Sequence, residues 1–234
     1  MKSIKLLLLA LAAITTSAVN AQTVDEIISK HTDAIGGKEK LSQVKSVYSE
    51  NTVEVMGNSV PQKEYLLVGK GLKREIEFNG QNIVECYTDK IGWTINPMMG
   101  GTGAQALPDA LYKSNKPQIY LGGALIDYAA KGYKAALDGK DGGNFKIKVT
   151  GDGNETYYFI DPTTYYLVKS VMKGEVMGQA TEVTTTYSDY KKTDFGVVLP
   201  YAKNIDMGMF QLAQKVEKVE VNKEIDPKIF DMPK

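Results

Sequence analysis

From Val47 onward the hydrophobic pattern of this 234-residue chain has a period of two, and that feature confines it to a β architecture. Residues 49–56 and 63–78 read as strands, the second broken or bulged at Gly69 and Gly71. Asn79-Gly80 is the strongest hairpin signal in the chain, a two-residue primed turn; 83–88 returns from it and 91–96 follows after Asp89-Lys90. Further alternating segments occupy 145–150, 156–160, 165–172, 181–190, 197–206 and 210–221, with turns at 151–154 and Asp161-Pro162. With about ten strands joined mostly by short turns, an antiparallel meander is the natural solution.

Two segments depart from this period. Thr23-Val24-Asp25-Glu26 is a capping box, and Val24, Ile27, Ile28 and Ile35 then follow helical spacing until Gly36-Gly37 closes the helix. A second helical turn around Leu41 and Val44 leads into the first strand. His31 falls on the same apolar stripe and reads as a half-buried, hydrogen-bonded histidine. In the middle of the chain, 96–103 is a Gly-rich loop and 107–130 has helical character, interrupted near Pro117 and at Gly122-Gly123. There Leu121, Leu125 and Tyr128 lie at i, i+4 and i+7. This helical insert sits between the two halves of the sheet, placed to cover one face of it together with the N-terminal helix.

Composition narrows the function classes. Lys+Arg and Asp+Glu are both 28, so no nucleic-acid partner is held by bulk charge. His31 and Cys86 are the only residues of their types, which leaves little for metal binding or Cys/His catalysis and excludes an intrachain disulfide. No catalytic residue, metal or cofactor is expected. Lys2 and Lys5 precede an apolar run, 6–14, and a polar stretch, 15–20, and Val19-Asn20-Ala21 offers small residues before Gln22. The run is too short to span a bilayer, which takes about twenty residues. Residues 1–21 are therefore expected to be a signal peptide cleaved after Ala21, with no cysteine after the cut to carry a lipid. The remainder, 22–234, reads as a single exported domain with 26 basic and 28 acidic residues.

Several motifs dissolve on inspection. Gly101 to Ala106 matches G-x-G-x-x-A, but no parallel βαβ unit surrounds it. The stretch 138–144 (DGKDGGN) has Lys140 and Gly142 where a calcium loop needs oxygen ligands, and reads as a polar hairpin or linker turn. Asn154-Glu155-Thr156 is a chance glycosylation triplet. Tyr157, Tyr158, Tyr165, Tyr166, Tyr187 and Tyr190 suit cross-strand packing or the rim of an apolar cavity. Arg74, the only arginine, stands out: alternation puts Leu72, Arg74, Ile76 and Phe78 on one face and Lys73, Glu75 and Glu77 on the other. A charge pointing with the apolar set is costly unless paired. It is either half of an internal pair with an acidic residue or an anchor for a headgroup or carbonyl inside an apolar cavity.

An ordered series of segments resembles a known family. Thr88 to Gly100, with Trp93-Thr94-Ile95-Asn96-Pro97, resembles the W-x-I-N-P strand and loop of exported proteins similar to outer-membrane lipoprotein-sorting proteins. Tyr158-Phe159-Ile160-Asp161-Pro162, Tyr187-Ser188-Asp189-Tyr190, Phe195 to Pro200 and the ending Val221-Asn222 to Pro233 are similar to further segments of that family. The resemblance runs from Ala34-Ile35-Gly36-Gly37 to Pro233 and is to a divergent branch. It implies a LolA/LolB-like fold: an unclosed antiparallel barrel, a strongly curved sheet of about eleven strands with helices covering its concave apolar face. It also implies a periplasmic, non-enzymatic, monomeric carrier that shields acyl chains of lipoproteins or another lipid, with membrane-bound donor and acceptor proteins as its partners. The family's carriers have a functional arginine on an early strand facing the cavity, and Arg74 is suited to that place. With it, Leu72, Ile76, Phe78 and Trp93 from the strands and Leu121 and Leu125 from the insert are the expected cargo contacts. The competing reading is an envelope-assembly module whose groove binds a protein partner, such as a peptidase or transporter.

Overall fold

The computed structural model describes residues 22–234 apart from Thr102, Met177, Gly178 and Met209. The capping box forms as read: Thr23 Oγ1 accepts from the Glu26 amide while the Glu26 carboxylate accepts from the Thr23 amide, opening α1 (Val24–Ala34). A short α2 (Lys38–Ser42) follows, and then β1 (Ser46–Val55), β2 (Asn58–Leu67), β3 (Gly71–Phe78), β4 (Gln81–Thr88), β5 (Gly92–Ile95) and β6 (Gln105–Ala106). After an insert containing α3 (Asp109–Asn115) and 3₁₀ turns at Lys116–Ile119 and Ala129–Lys131 come β7 (Lys134–Asp141), β8 (Asn144–Gly151) and β9 (Asn154–Ile160). The remaining strands are β10 (Leu167–Val176), β11 (Gln179–Lys192), β12 (Val198–Asp206) and β13 (Gln211–Val221).

All described strands join one antiparallel sheet, ordered β6-β5-β4-β3-β2-β1-β13-β12-β11-β10-β9-β8-β7. The meander is thus broken at one place, where β1 pairs with β13, and the sheet is not closed into a barrel. Thirteen strands stand where about eleven were expected. The Asn79-Gly80 turn has both residues at positive φ (52° and 73°), as a primed two-residue turn requires. Gly142 and Gly143 make the corresponding turn between β7 and β8 (φ 56° and 86°), so the DGKDGGN stretch is a hairpin.

The two edge strands, β6 and β7, are joined by the insert. That connection forces curvature. The Tyr112 hydroxyl of α3 donates to the Thr88 carbonyl at the end of β4, and two residues on, Ser114 Oγ donates to Asn154 Oδ1 at the start of β9. In a flat sheet these strands would lie eight steps of ~4.8 Å apart, about 38 Å, whereas a seven-residue helix is about 10 Å long. The two arms of the sheet therefore curl toward each other, with bulges at Glu50/Asn51, Leu167/Lys169 and Leu137/Lys140.

Both faces of the sheet are covered, by different elements. On the inner face, Ile27 and Ile28 of α1 and Ala124 and Leu125 of the insert pack on Phe145, Ile147, Val149, Tyr158 and Ile160. Beside them Ile119 and Leu121 pack with Leu66, Leu72 and Tyr87. On the outer face the C-terminal segment lies over Val84, Cys86 and Trp93, with Phe230 buried among them. His31 is almost fully buried, with Nδ1 2.8 Å from the Tyr165 carbonyl; the hydrogen bond was expected and the burial is deeper than expected.

One expectation is corrected. The spacing of Leu121, Leu125 and Tyr128 read as a helix, yet 120–128 is a chain of turns. Gly122, Gly123 and Asp127 sit at positive φ (76°, 61° and 50°), a conformation that a right-handed helix cannot hold. Continuous helix in the insert is confined to α3 and short 3₁₀ turns.

Candidate functional site in the concavity

Three neighbouring strands carry the same in-phase pattern on the inner face: apolar ends with a polar middle. In β1 it is Val47, Ser49, Asn51, Val53; in β2, Leu66, Glu64, Gln62, Val60; in β3, Leu72, Arg74, Ile76. The ladders align these residues: Asn51 faces Gln62, Ser49 faces Glu64, and Glu64 faces Arg74. Arg74 Nε donates to Glu64 Oε2 at 2.6 Å, and Nη1 lies 3.7 Å from Glu85 Oε2. Arg74 Nη2 donates to Gln118 Oε1 at 2.7 Å, and Gln118 Nε2 in turn donates to Asn115 Oδ1. Arg74 therefore does two things at once: it is half of an internal ion pair, and it ties the insert to the sheet.

The pair is about four-fifths buried, with side-chain exposures of 21% for Arg74 and 18% for Glu64. Burial alone would raise the Glu64 pKa, but the charges of Arg74 and Lys203 and the Arg74 hydrogen bond outweigh it and hold the carboxyl at about 2. Burial opposes the Arg74 charge too, and the Glu64 and Glu85 carboxylates override it, so the guanidinium pKa is raised. The charge is fixed across the working pH range.

The polar stripe continues beyond β1. Asn51 Nδ2 donates to Ser49 Oγ and to Gln62 Oε1. Gln214 of β13 and Lys203 of β12 are paired in register, Lys203 is also paired with Tyr187 of β11, and the Tyr187 hydroxyl shares a 3.0 Å hydrogen bond with Ser170 Oγ of β10. Ser49, Asn51, Gln62, Gln214 and Ser170 are each at least nine-tenths buried.

The cover above this face has little regular structure of its own. Lys131 holds it by donating to the carbonyls of Gly123 and Ile126, and its ammonium sits over the Tyr120 ring. Its apolar anchors are Ile119, Ala124 and Leu125, at 0%, 3% and 1% exposure.

Of the residues expected to meet cargo, Leu72, Arg74, Ile76 and Phe78 share the inner face, and Leu121 and Leu125 lie in the insert over it. Trp93 does not join them. It pairs with Cys86 on the outer face, donates Nε1–H to the Phe230 carbonyl at 2.9 Å, and is 1% exposed. The reason is register: Cys86 faces Lys73, which is out of phase with Arg74. Sequence reasoning missed Glu64, Gln62, Asn51, Gln118 and Lys203; a signal was present in the first three, whose phase matches that of Val60, Leu66 and Val53.

Burial pushes the Cys86 thiol up to about 12, far from a nucleophilic thiolate. Among the described residues no three His, Cys, Asp or Glu are grouped to hold a metal. No helix among them is long and apolar enough to cross a membrane.

No protein-family model and no curated protein sequence matches the chain. Solved structures do. A LolA superfamily protein from Nitrosomonas europaea superimposes with a TM-score of 0.60 at 12% identity, over 90% of this chain and 98% of that one. A DUF1329 family protein from Desulfovibrio piger gives 0.59 at 10% identity, over 89% and 97%. A putative outer membrane lipoprotein-sorting protein domain from Vibrio parahaemolyticus gives 0.53 at 11% identity, over 89% and 97%. At such identities the likeness speaks for backbone architecture, and it covers nearly the whole of each partner. The open, curved sheet with its edge-to-edge insert is a LolA-type fold, carried by a divergent sequence.

Proposed function

We propose that this protein is a non-enzymatic carrier that holds the acyl chain of a lipoprotein or another lipid in the concavity between the sheet and its insert. The observation that carries the proposal is the make-up of the cover. An open sheet has its inner face roofed by turns and short helices whose apolar side chains insert from above, latched to the floor by the Arg74–Gln118 hydrogen bond. Such a roof can leave without unpairing a strand. The likeness to a LolA superfamily protein and a lipoprotein-sorting domain supports the same reading.

Energetics favour a cover that opens. Removing about fifteen methylenes from water is worth on the order of 12 kcal/mol, at ~0.8 kcal/mol per CH₂. A sealed cavity would keep its cargo, whereas exchange between the insert's apolar side chains and an acyl chain is near neutral. In this account Ile119, Leu121 and Leu125 occupy the inner face in the empty state and yield to cargo, with Leu72, Ile76 and Phe78 as the floor. Arg74 holds the roof or meets a carbonyl of the cargo. Trp93 belongs to the outer-face core and is left out of the site. The signal-peptide segment, 1–21, lies outside the described residues; with it removed, the protein works as a monomer in the periplasm, between a membrane-bound donor and acceptor.

Native mass spectrometry on protein purified from a membrane-containing lysate tests this. The carrier reading expects a bound lipid-sized mass that delipidation removes and an added acyl compound restores. Protein that stays empty in both experiments, or that retains only a polypeptide partner, contradicts it.

A further inference from the structure

The inner face is not the uniformly apolar surface that a bare acyl chain would ask for. A polar stripe crosses it diagonally through β3, β2, β1, β13, β12, β11 and β10: Arg74 and Glu64, then Gln62, Asn51 and Ser49, then Gln214 and Lys203, then Tyr187 and Ser170. Arg74 pairs with Glu64, Asn51 Nδ2 with Ser49 and Gln62, and Tyr187 with Ser170. Two groups left over bear on a ligand. Asn51 Oδ1 is fully buried with no hydrogen-bond donor. Lys203 points inward by its register with Gln214 and Tyr187, yet its ammonium has no ion pair or hydrogen bond among the described residues.

The charge count along this stripe is lopsided. Arg74 and Lys203 bring two positive charges and Glu64 one negative charge, with Glu85, 47% exposed, at the rim. Arg74 already has Glu64 at 2.6 Å. Lys203, half-buried on the inner face, acts on Glu64 only through its charge and has no ion pair of its own, so it is left as the cation there that an anion can answer. An orphaned carboxamide oxygen asks for the opposite partner, a hydroxyl or N–H donor.

We propose, on the basis of the carrier reading above, that the cargo is an acidic amphiphile whose carboxylate or phosphate head lies inside the concavity on Lys203, with a neighbouring hydroxyl or N–H meeting Asn51 Oδ1. The stripe is flanked on one side by Val47, Leu66 and Leu72 under the insert, and on the other by Val53, Val60 and Ile76. The acyl chain follows the first of these flanks, where Ile119 now sits. The head is thereby buried at mid-cavity, and selectivity resides in β12 and β1 rather than in the roof.

The test is binding to the delipidated mature chain of three probes of equal chain length: laurate, dodecyl phosphate and dodecanol. Wild type is expected to bind at least one acidic probe about tenfold or more tighter than dodecanol, the range of a charge-assisted hydrogen bond. Which acid binds tighter tells carboxylate from phosphate. Lys203→Met should bring acid and alcohol to parity while leaving dodecanol affinity unchanged; Lys203→Gln serves the same comparison if the methionine variant does not fold. Equal binding of all three probes by wild type overturns this inference and leaves the carrier reading standing. An acidic preference that survives loss of Lys203 overturns the assignment to Lys203. Failure of all three to bind overturns both.

Discussion

The two faces of the sheet are covered by segments of different length and opposite character. Over the outer face, the C-terminal 3₁₀ turn (Pro227–Phe230) drives the Phe230 ring against Gly71, where a Cβ would come within 2.6 Å of it. Its carbonyl takes the Trp93 indole N–H and is approached by the Cys86 thiol, all at 4% exposure or less. Over the inner face, the insert rests on positive-φ turns, a lysine bound to two carbonyls, and one charged latch above a polar floor with unmet hydrogen-bonding capacity. The first cover is a core that happens to be C-terminal. The second, anchored by Ile119, Ala124 and Leu125, is the cover that the carrier reading requires to open.

The sharpest way to break this contrast is Phe230→Ala. A large ring leaves a dry site that cannot collapse, because Gly71 and Trp93 are fixed by the ladders, so a loss of about 3–5 kcal/mol in global stability is expected. Chemical denaturation measures it. A loss below about 1 kcal/mol, in the range of an exposed substitution, would place the C-terminal cover in the same class as the insert.

Next comes Arg74→Leu, which strands Glu64. A cost of about 3 kcal/mol is expected for a largely buried pair broken on one side, and Arg74→Leu combined with Glu64→Gln should recover much of it. The same pair sets an acid limit. With the Glu64 pKa depressed in the fold from the ordinary 4.5 to about 2, its contribution is complete above pH 4.5 and lost as pH falls toward 2. Stability curves of wild type and Glu64→Gln should converge across that window.

How far the sequence exposed this molecule depended on which signals are local. The α1 cap, the Asn79-Gly80 turn and most strands were legible because each rests on neighbouring residues. β7 was not, because an edge strand whose side chains are almost all exposed, with Gly139 at its bulge, has the composition of a linker. The insert's i, i+4, i+7 spacing correctly marked Leu121 and Leu125 as cover residues but not their conformation, since glycine turns can present the same side chains. Arg74 was legible as an inward charge from alternation in β3 alone. Its partners were not: Glu64 is cross-strand and Gln118 lies 44 residues away, so both needed the register. Trp93 went to the wrong face for the same reason.

A smaller effect separates latch from core. Gln118→Ala removes one hydrogen bond to a charged group, about 1.5–3 kcal/mol locally, and on the proposal that the insert opens apart from the sheet little of this should reach the global unfolding midpoint. Faster lipid exchange with an unchanged midpoint is the expected pattern; a midpoint that drops as far as it does for Arg74→Leu would mean that insert and sheet unfold as one. Smallest of all is the titration of His31. Burial lowers its pKa below 6.5 against the opposing hydrogen bond to Tyr165, so protonation favours the unfolded chain. Stability should be level above pH 6.5 and decline as pH falls below it, and His31→Gln should flatten that slope.

The central claim, that one cover is permanent and the other opens for cargo, is tested most directly by hydrogen exchange of the full mature chain with and without a bound acyl compound. The account predicts that amides in 109–131 exchange through a local opening well below the global unfolding free energy and are slowed by the ligand, together with strand amides in 60–66 and 72–78. Those in 225–232 should exchange only on global unfolding and ignore the ligand. Equal protection of the two covers, unchanged by ligand, would contradict it.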